Sequence, residues 1–494
     1  MKANIVRLIK LELHRVKNVN NGVIEFMNYA PVLSKADITE NDIVGIYGQN
    51  GSGKTAAIEG LDIMRHILSG EEIPYREYGG ILSGESELIA HFFLQTEEKK
   101  YLVSYAASLS VIASDAVSRI AIRKEKLSYK LRGASWRHER SLTVSNPFYN
   151  SDSILNISTA IRPESKHVDE YSNLEFVKSL QNIAIYSAQR NCSVFFNQVV
   201  INSLMNNSGR TDEEKNLSDV ITSTGFFARN HLIVIKVRQL GDINMNQMIP
   251  LNIYEEYDNG LLAGCLPLLM NGNGSVPLTI YPIFERIIEA INIALRAIVP
   301  DLQILLRKGA AEVNEKGTEI VQVDVFSERN GRKFSTRYES EGIKRIISLL
   351  NCLIAVYNNP QICLAVDELD SGIFEYLLGE LLGALYEEAK GQLIFTSHNL
   401  RAFEKLGVRN LICSTTNPDN RYLRLKGVQQ NHNKRDFYIR ALVLGGQKES
   451  LYDQDELDSI GYAFRKAGRL NRPVTLQFSD SVMQKLSGQT SQEI

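Results

Sequence analysis

The sequence has few cysteines, and none of them form a motif that binds metal or closes a small fold. Its five cysteines stand singly, with no CxxC pair, and their number is odd. This pattern argues against a disulfide framework and against a cysteine zinc site, and it fits a reducing compartment best. We therefore expect a cytoplasmic protein rather than a disulfide-stapled secreted one.

Long hydrophobic runs and a signal peptide are also missing. The longest apolar stretch, around residues 261–270, is far shorter than the 18 or so residues that a membrane-spanning helix needs. The N-terminal residues MKANIVRLIKLELHR carry charges every few positions and lack a small-residue cleavage site, which does not fit a signal peptide. These absences predict a chain with no membrane partner.

The charge has no dominant sign. The chain has 55 Lys and Arg against 57 Asp and Glu, a net charge of −2. A global attraction to nucleic acid or anionic lipid is thereby excluded, and any such attraction must be local. With 44% hydrophobic and 23% charged residues, the composition is that of a globular protein. A chain of 494 residues has room for two to four domains at roughly 100 to 200 residues each.

The first informative motif is a glycine-rich loop between an apolar run and a helix-compatible segment. Residues 43–60 read IVGIYGQNGSGKTAAIEG, which has the GxxxxGKT spacing of a phosphate-binding P-loop. Small residues let successive backbone N–H groups turn toward phosphate oxygens. Lys54 would neutralise the β- and γ-phosphates, and the Thr55 hydroxyl would ligate Mg²⁺. The predicted nucleotide-binding residues of this loop are Gly48, Asn50, Gly51, Ser52, Gly53, Lys54 and Thr55.

A second motif lies far downstream, at the end of another apolar run. Residues 361–373 read QICLAVDELDSGI, which predicts a buried parallel strand followed by a turn. Asp367 at the strand end is placed to hold the Mg²⁺ shell, and Glu368 is placed to act as the general base toward the attacking water. The alternative is an acidic junction between strand and loop without a catalytic role.

Two weaker signals accompany this pair. The segment GQLIFTSHNL ends an apolar strand at His398, where a histidine is able to contact the γ-phosphate side of a site; alone, it is more often an ordinary loop residue. Upstream, Ser340 and Gly342 open a helical pattern whose exposed backbone N–H groups offer a seat for phosphate. The alternative there is an ordinary capped helix.

Taken in order, these motifs resemble ABC-type ATPase heads of the SMC, RecF and OLD kind, with Lys54 serving catalysis as well as binding. The match is closest to the OLD-like group labelled AAA15, which includes ATPase subunits of bacterial anti-phage systems of the AbiL or PARIS type. It rests mainly on residues 1–70 and 277–405. The residues that carry it are Gly48 to Thr55 as Walker A, Ser340-Glu341-Gly342 as signature, Asp367-Glu368 as Walker B, Leu369-Asp370-Ser371 as D-loop, and His398 as switch histidine.

The resemblance implies an α/β fold, that of a P-loop NTPase with an ABC-type ATPase head, a flanking antiparallel β-layer and an inserted helical or mixed lid. It implies ATP and Mg²⁺ as cofactors. It also implies a homodimer or higher homo-oligomer, in which Ser340 and Gly342 of one copy close over the nucleotide held by Lys54 and Thr55 of the other. Asp370 would lie at the same interface. A separate effector, such as a TOPRIM-type nuclease or another toxin, is the expected protein partner.

The sequence departs from the family pattern at two points. Glu341 stands where the ABC signature has its first glycine, as is common in OLD-like variants, and this weakens a transporter interpretation. No Q-loop glutamine is evident. Gln189 is the best candidate, although an ordinary surface glutamine is the simpler reading.

The order of motifs predicts four regions. Residues 1–145 would form an N-lobe with Walker A and the β-layer, and residues 146–276 an inserted lid. Residues 277–418 would form a C-lobe with signature, Walker B and switch histidine, and residues 419–494 a tail that contacts a partner.

Two charged segments leave further functions open. A basic stretch from Arg119 to Arg140, with Tyr129 and Trp136 interleaved, suits DNA contact but could equally be the solvated face of a β-hairpin or a contact to an acidic partner. It motivates the alternative of a RecF- or SMC-like DNA-repair ATPase. An acidic cluster from Glu449 to Asp458 lacks the context of a nuclease site and is interpreted as an exposed loop or helix start.

Overall fold

The computed structural model describes most of the chain in two compact units, Met1–Leu451 and Tyr452–Ile494. The residues that it describes are 4–26, 42–112, 118–132, 139–145, 161–163, 187, 190–206, 211–245, 248–257, 260–269, 274–314, 317–427, 433–452 and 460–468.

Strands dominate the first half of the chain. The strands are β1 (Ile5–Val16), β2 (Val19–Glu25), β3 (Asp42–Tyr47), β4 (Leu82–Gln95), β5 (Lys100–Ile112), β6 (Arg119–Leu131), β7 (Arg140–Ser145), β8 (Ile161–Pro163), β9 (Leu232–Ile235), β10 (Met248–Tyr257), β11 (Gly260–Leu269), β12 (Gly274–Pro277), β13 (Leu302–Val313), β14 (Glu319–Arg329), β15 (Arg332–Ser335), β16 (Cys363–Val366), β17 (Gln392–Thr396), β18 (Leu411–Ser414) and β19 (Tyr422–Leu423).

Helices are concentrated after residue 198. The helices are α1 (Lys54–Leu68), α2 (Tyr75–Tyr78), α3 (Gln198–Asn206), α4 (Asp212–Asn230), α5 (Arg238–Asn244), α6 (Tyr281–Ile298), α7 (Glu341–Asn358), α8 (Glu375–Glu388), α9 (Leu400–Lys405), α10 (Lys434–Leu444) and α11 (Ile460–Gly468), with 3₁₀ turns at Thr336–Tyr338 and Val408–Asn410. α11 belongs to the second unit.

A six-stranded sheet forms the centre of the first unit. Its order is β19-β18-β3-β17-β16-β9, and all neighbours are parallel except the pair β18 and β19. β3, β16 and β17 are buried along their whole length, as expected of apolar runs covered on both faces. Because these strands are parallel, their carboxyl ends meet at one edge, and the loops after them converge there.

A seven-stranded antiparallel layer flanks this sheet. Its order is β2-β1-β4-β5-β6-β7-β8, and alternating buried and accessible residues along β5 show that one face is covered. Helix α1 lies between the two sheets, since its apolar side chains share one hydrophobic core with both. A second core covers the opposite face of the central sheet with α6, α7 and α8. The predicted α/β fold class with its antiparallel layer is confirmed.

Strand β9 lies within residues 146–276, which the sequence predicts to be an insertion. It pairs in parallel with β16, for example Ile235 with Val366, so this short apolar piece belongs to the central sheet. The predicted four-region division otherwise stays a prediction. Within the described part of the chain, no helix combines the length and apolar character that crossing a bilayer requires.

Candidate functional site: a phosphate-binding cleft

The glycine-rich loop links the end of β3 to the start of α1. Gly51 and Gly53 have φ angles of 76° and 90°, a left-handed conformation that glycine adopts without steric cost. At Gly48 the constraint is space, because a Cβ atom would lie 2.0 Å from the Ser414 hydroxyl oxygen. Glycine is therefore needed in this motif for two different reasons: the left-handed backbone at Gly51 and Gly53, and the lack of space for a side chain at Gly48.

Lys54 opens helix α1 and folds back over the loop. Its Nζ donates to the carbonyl oxygens of Gly48 at 2.9 Å and Gln49 at 2.8 Å. Burial lowers the pKa of Lys54, and the nearby carboxylate of Asp367 opposes that shift. The side chain is 7% exposed, so its ammonium group is a largely desolvated cation, in which form it attracts phosphate more strongly than in water.

Asp367 directly follows β16 and lies close to the first turn of α1. Its carboxylate Oδ1 accepts a hydrogen bond from Thr396 Oγ1 at 2.6 Å and lies 3.4 Å from Thr55 Oγ1. A carboxylate and a hydroxyl side by side are the hard oxygen ligands that Mg²⁺ takes alongside waters and substrate phosphates. Among the described residues, no group of three or more His, Cys, Asp or Glu is arranged to hold a metal ion by itself, and a magnesium ion held mainly by substrate and water needs none.

Glu368 has an unusual backbone. Its φ of 48° places it in the left-handed region, where a residue with a Cβ is uncommon and the cost is of order 1 kcal/mol or more. Its backbone N–H donates to Thr396 Oγ1 at 2.8 Å. One threonine hydroxyl therefore accepts from Glu368 and donates to Asp367, which uses its single proton and one of its lone pairs. Such local strain at a carboxylate beside the glycine-rich loop supports the hypothesis of a functional role for this residue.

His398 and Asp370 meet beside these carboxylates. The backbone N–H of His398 donates to Asp370 Oδ2 at 3.1 Å, while the imidazole itself is exposed. Partial burial lowers the pKa of His398, and the ammonium group of Lys54 lowers it further. The ring is therefore biased toward the neutral form, which has one N–H donor and one acceptor.

These side chains surround a single cleft of about 180 Å³. The structure brings together eight of the predicted residues there. Gly48 and Ser52 of the same loop do not line the cleft, and the Ser52 hydroxyl lies 2.5 Å from Ser414 Oγ. The lining residues are Lys17, Asn18, Asn50, Gly51, Gly53, Lys54, Thr55, Ala56, Asp367, Glu368, Thr396 and His398.

The predicted signature residues are not part of this cleft. Ser340 is the N-cap of α7, its Oγ accepting from the Ile343 N–H at 3.3 Å, and its side chain is exposed. Gly342 packs on the D-loop so tightly that an added Cβ would lie 2.1 Å from the Gly372 carbonyl oxygen. The predicted signature and D-loop are thus in contact with each other, and Ser340, the N-cap of α7, is exposed.

Sequence reasoning missed three groups at this site. Thr396 bridges Asp367 and Glu368, although it looks like an ordinary last residue of a strand. Asn18, in the β1–β2 turn, donates from Nδ2 to the Gly51 carbonyl oxygen. Arg345, on α7, is 1% exposed, and its Nη2 lies 3.4 Å from the Asp367 carbonyl oxygen. Burial lowers the pKa of Arg345 to about 10, against the opposing effect of Asp367, so it remains charged at neutral pH.

Other predicted features fall elsewhere. Gln189 lies outside the described residues, as do most members of the acidic cluster near residue 455. The basic segment includes β6, whose alternation places Lys124, Lys126 and Lys130 on one face; Lys130 forms an ion pair with Glu139 at 3.2 Å.

No family model and no curated protein matches the chain. Among solved structures, an SMC head bound to the C-winged helix domain of ScpA aligns over 85% of this chain and 98% of its own, at 12% identity and a TM-score of 0.37. The SMC head domain from Thermotoga maritima aligns over 85% of this chain and 99% of its own, at 13% identity and a TM-score of 0.36. An SMC head with an extended coiled coil, bound to the C-terminal domain of ScpA derived from Pyrococcus furiosus, aligns over 89% of this chain and 99% of its own, at 12% identity and a TM-score of 0.35.

Proposed function

We propose that the chain is an ATPase of the ABC type, which binds ATP with Mg²⁺ and hydrolyses it to ADP and phosphate. The observation that carries the proposal is the single cleft shared by Lys54, Thr55, Asp367, Glu368 and His398. A P-loop lysine, a magnesium-binding hydroxyl and carboxylate, and a base beside them are the parts that phosphoryl transfer to water requires.

Each side chain has a role set by its position. Lys54 and the backbone N–H groups of the loop hold the phosphates, and Thr55 and Asp367 would hold the magnesium ion. Bound magnesium neutralises charge on the phosphate oxygens. Glu368 accepts the proton of the attacking water, since it is the carboxylate that lines the cleft next to Asp367. His398 donates or accepts a hydrogen bond on the γ-phosphate side.

A second copy of the chain completes the site. The cleft of about 180 Å³ is smaller than the roughly 300 to 1,000 Å³ of a complete small-molecule pocket. Tyr338 and Phe374, close in sequence to Ser340 and Gly372, are 74% and 73% exposed, and large exposed apolar side chains beside a predicted phosphate seat suit a covered interface. Ser340 and Gly342 of one copy would close over the ATP bound by its partner, with Asp370 at the same interface.

The cellular role belongs to the same proposal. The chain would act in the cytoplasm as an oligomeric sensor and switch subunit of bacterial anti-phage defence, controlling a separate toxic effector such as a TOPRIM-type nuclease. The ordered motifs from Gly48 to His398 support this through their resemblance to OLD-like ATPases. Loss of protection from phage in cells carrying Lys54→Ala, at unchanged protein level, is the test, and intact protection would contradict the role.

A DNA-repair ATPase is the second candidate, and one observation favours it. Lys124, Lys126 and Lys130 share one face of β6, as an electrostatic contact to a phosphate backbone requires. Reversal of all three charges should abolish a salt-dependent affinity for duplex DNA and leave basal ATP turnover intact. Wild-type protein with no DNA affinity at low salt would eliminate this candidate.

The ATPase itself is tested with two site variants and one control. Lys54→Ala should abolish ATP binding, because it removes the cation of the loop. Glu368→Gln should keep ATP binding but lower phosphate release by about 10² to 10⁴-fold, and it should accumulate a dimer in ATP during size-exclusion chromatography with light scattering. Glu380→Gln, a surface carboxylate paired with Lys405 at 2.8 Å, is the matched control and should behave as wild type. Equal turnover in all four proteins would refute the assignment.

A further inference from the structure

Helix α7 has a buried arginine for which the proposed chemistry, as stated so far, has no role. Arg345 is 1% exposed and uses Nη2 alone, at 3.4 Å from the Asp367 carbonyl oxygen. Its Nε and Nη1 have no hydrogen-bond partner among the described residues. Buried donors are nearly always paired, and a buried cation without full pairing is costly. The arrangement therefore calls for an explanation.

An unpaired acceptor belongs to the same cluster. Asp370 Oδ1 is buried and also has no hydrogen-bond partner in the described part of the chain, whereas Oδ2 accepts from the His398 backbone. The carboxylates that act electrostatically on Arg345 are Asp367, Glu368 and Asp370. Two unsatisfied groups of opposite charge thus face the same short segment without being joined. A relative movement of α7 and this segment that brings Arg345 to Asp370 would pair them.

Helix α7 touches that segment at a second point. Gly342, in the first turn, packs against the Gly372 carbonyl oxygen so closely that no side chain fits between them. Arg345 contacts the beginning of the segment at Asp367, and Gly342 contacts its end at Gly372. The helix therefore lies against both ends of residues 367–372, and any shift of its first turn is transmitted to the carboxylates.

We propose that Arg345 is a positioning residue that couples the signature helix to the catalytic carboxylates of its own head. This coupling rests on the proposed function, in which Ser340 and Gly342 meet the phosphates of the partner's ATP. When they do, α7 moves against residues 367–372, the Arg345 guanidinium pairs with Asp370 Oδ1, and Glu368 is fixed for catalysis. Occupancy of one site thereby regulates hydrolysis in the other.

Arg7 provides a matched control. It is 0% exposed, its Nη2 also donates to a backbone carbonyl oxygen, that of Lys390, and its Nε and Nη1 likewise have no partner among the described residues. It lies near Asp42, at the opposite edge of the central sheet from the cleft. Arg7→Met and Arg345→Met thus remove equivalent buried cations and differ in what the guanidinium faces.

The test separates positioning from stability and from binding. Arg345→Met should lower the kcat of ATP hydrolysis by about 10²-fold, the loss expected of a small misplacement, and should leave the Kd for ATP within about twofold of wild type. Arg345→Lys keeps the charge but loses the planar guanidinium, and its kcat should lie between those of wild type and Arg345→Met. Arg7→Met should keep both kcat and Kd, even if its thermal midpoint falls as far.

Amide hydrogen exchange tests the same idea without turnover. The N–H groups of Leu369, Ser371 and Ile373 are bonded within or beside the segment and should exchange slowly. Arg345→Met should exchange them roughly tenfold faster than Arg7→Met does. ATP should slow their exchange further in wild type but not in Arg345→Met. Equal exchange in both variants, or a kcat that falls only in proportion to folded protein, would overturn the coupling. If wild-type protein hydrolyses no ATP, the proposed function fails, and the ATP-free exchange still decides the positioning role.

Discussion

Gly342→Ala is the sharpest single change that the structure offers. The added methyl carbon would lie 2.1 Å from the Gly372 carbonyl oxygen, and real Cβ atoms essentially never approach closer than 3.0 Å. The two backbones must therefore separate by at least about 0.9 Å, the difference between these distances. The nearest atoms belong to the backbone of Gly372 and Ile373, so no flexible side chain can rotate away to make room. Overpacking of this kind costs about 1–3 kcal/mol.

The displacement falls on the segment that ends at Gly372 and contains Glu368. Since a misplacement of about 1 Å costs up to 10²-fold in rate, we expect the kcat of ATP hydrolysis to fall by one to two orders of magnitude in Gly342→Ala. The Kd for ATP should change little, because Gly342 does not line the cleft of its own head. Phosphate release and a fluorescent nucleotide titration measure the two quantities.

Gly241→Ala is the control for this experiment. Gly241 lies inside α5, and an added Cβ there meets nothing within 4 Å, so alanine should raise stability by up to about 1 kcal/mol through helix propensity. Gly342→Ala with wild-type kcat and an unchanged thermal midpoint would refute the tight contact between α7 and the D-loop, and with it the coupling that depends on this contact.

Two further predictions concern buried groups. Thr396→Val removes, at similar side-chain volume, the hydroxyl that joins Asp367 and Glu368. The groups left unpaired should lower the free energy of unfolding by about 1–3 kcal/mol, and the rate of phosphate release should fall. Thr396→Ser should keep most of the stability and most of the rate, and equal behaviour of the two variants would contradict this prediction. Burial raises the pKa of Glu125, so its contribution to stability is present below its unfolded pKa and is lost as pH rises through the folded pKa. The thermal midpoint of Glu125→Gln should therefore depend less on pH above 4.5 than that of wild type, and parallel curves would be the contrary result.

The strand ends of the central sheet were predictable because each is marked by an apolar run. The segments that end at Tyr47, Val366 and Thr396 are short, apolar and followed by turn residues, and parallel pairing then brings their carboxyl ends together. Convergence of Lys54, Asp367 and His398 follows from that rule alone. The P-loop glycines were predictable for the same reason, since the motif specifies a backbone shape.

Groups that act through tertiary packing were not predictable. Arg345 lies on a helix whose residues from Lys344 to Cys352 are all buried, because the central sheet covers one side and β10 the other. Asn351, for example, accepts from the Tyr254 N–H of β10 at 2.6 Å. In such a helix a charged residue does not mark the solvent face, so periodicity assigns it wrongly. Strand β9 was not predicted from the sequence because an apolar run of four residues is too short to show a hydrophobic period.

The strained backbone of Glu368 connects these observations. A residue at a φ of 48° persists only where its surroundings over-determine it, and the bonds that hold it come from neighbouring elements. Thr396 accepts its N–H at 2.8 Å, and the Thr396 carbonyl oxygen accepts the Leu369 N–H at 3.0 Å. β17 thus supports Glu368, and α7 reaches the preceding residue, where Arg345 Nη2 lies 3.4 Å from the Asp367 carbonyl oxygen. β17 leads into His398, which is proposed to lie on the γ-phosphate side, and α7 begins with the residues proposed to meet the partner's ATP. In the proposed function these are also the two elements that meet nucleotide, and we expect hydrolysis to reach its full rate only when both are engaged.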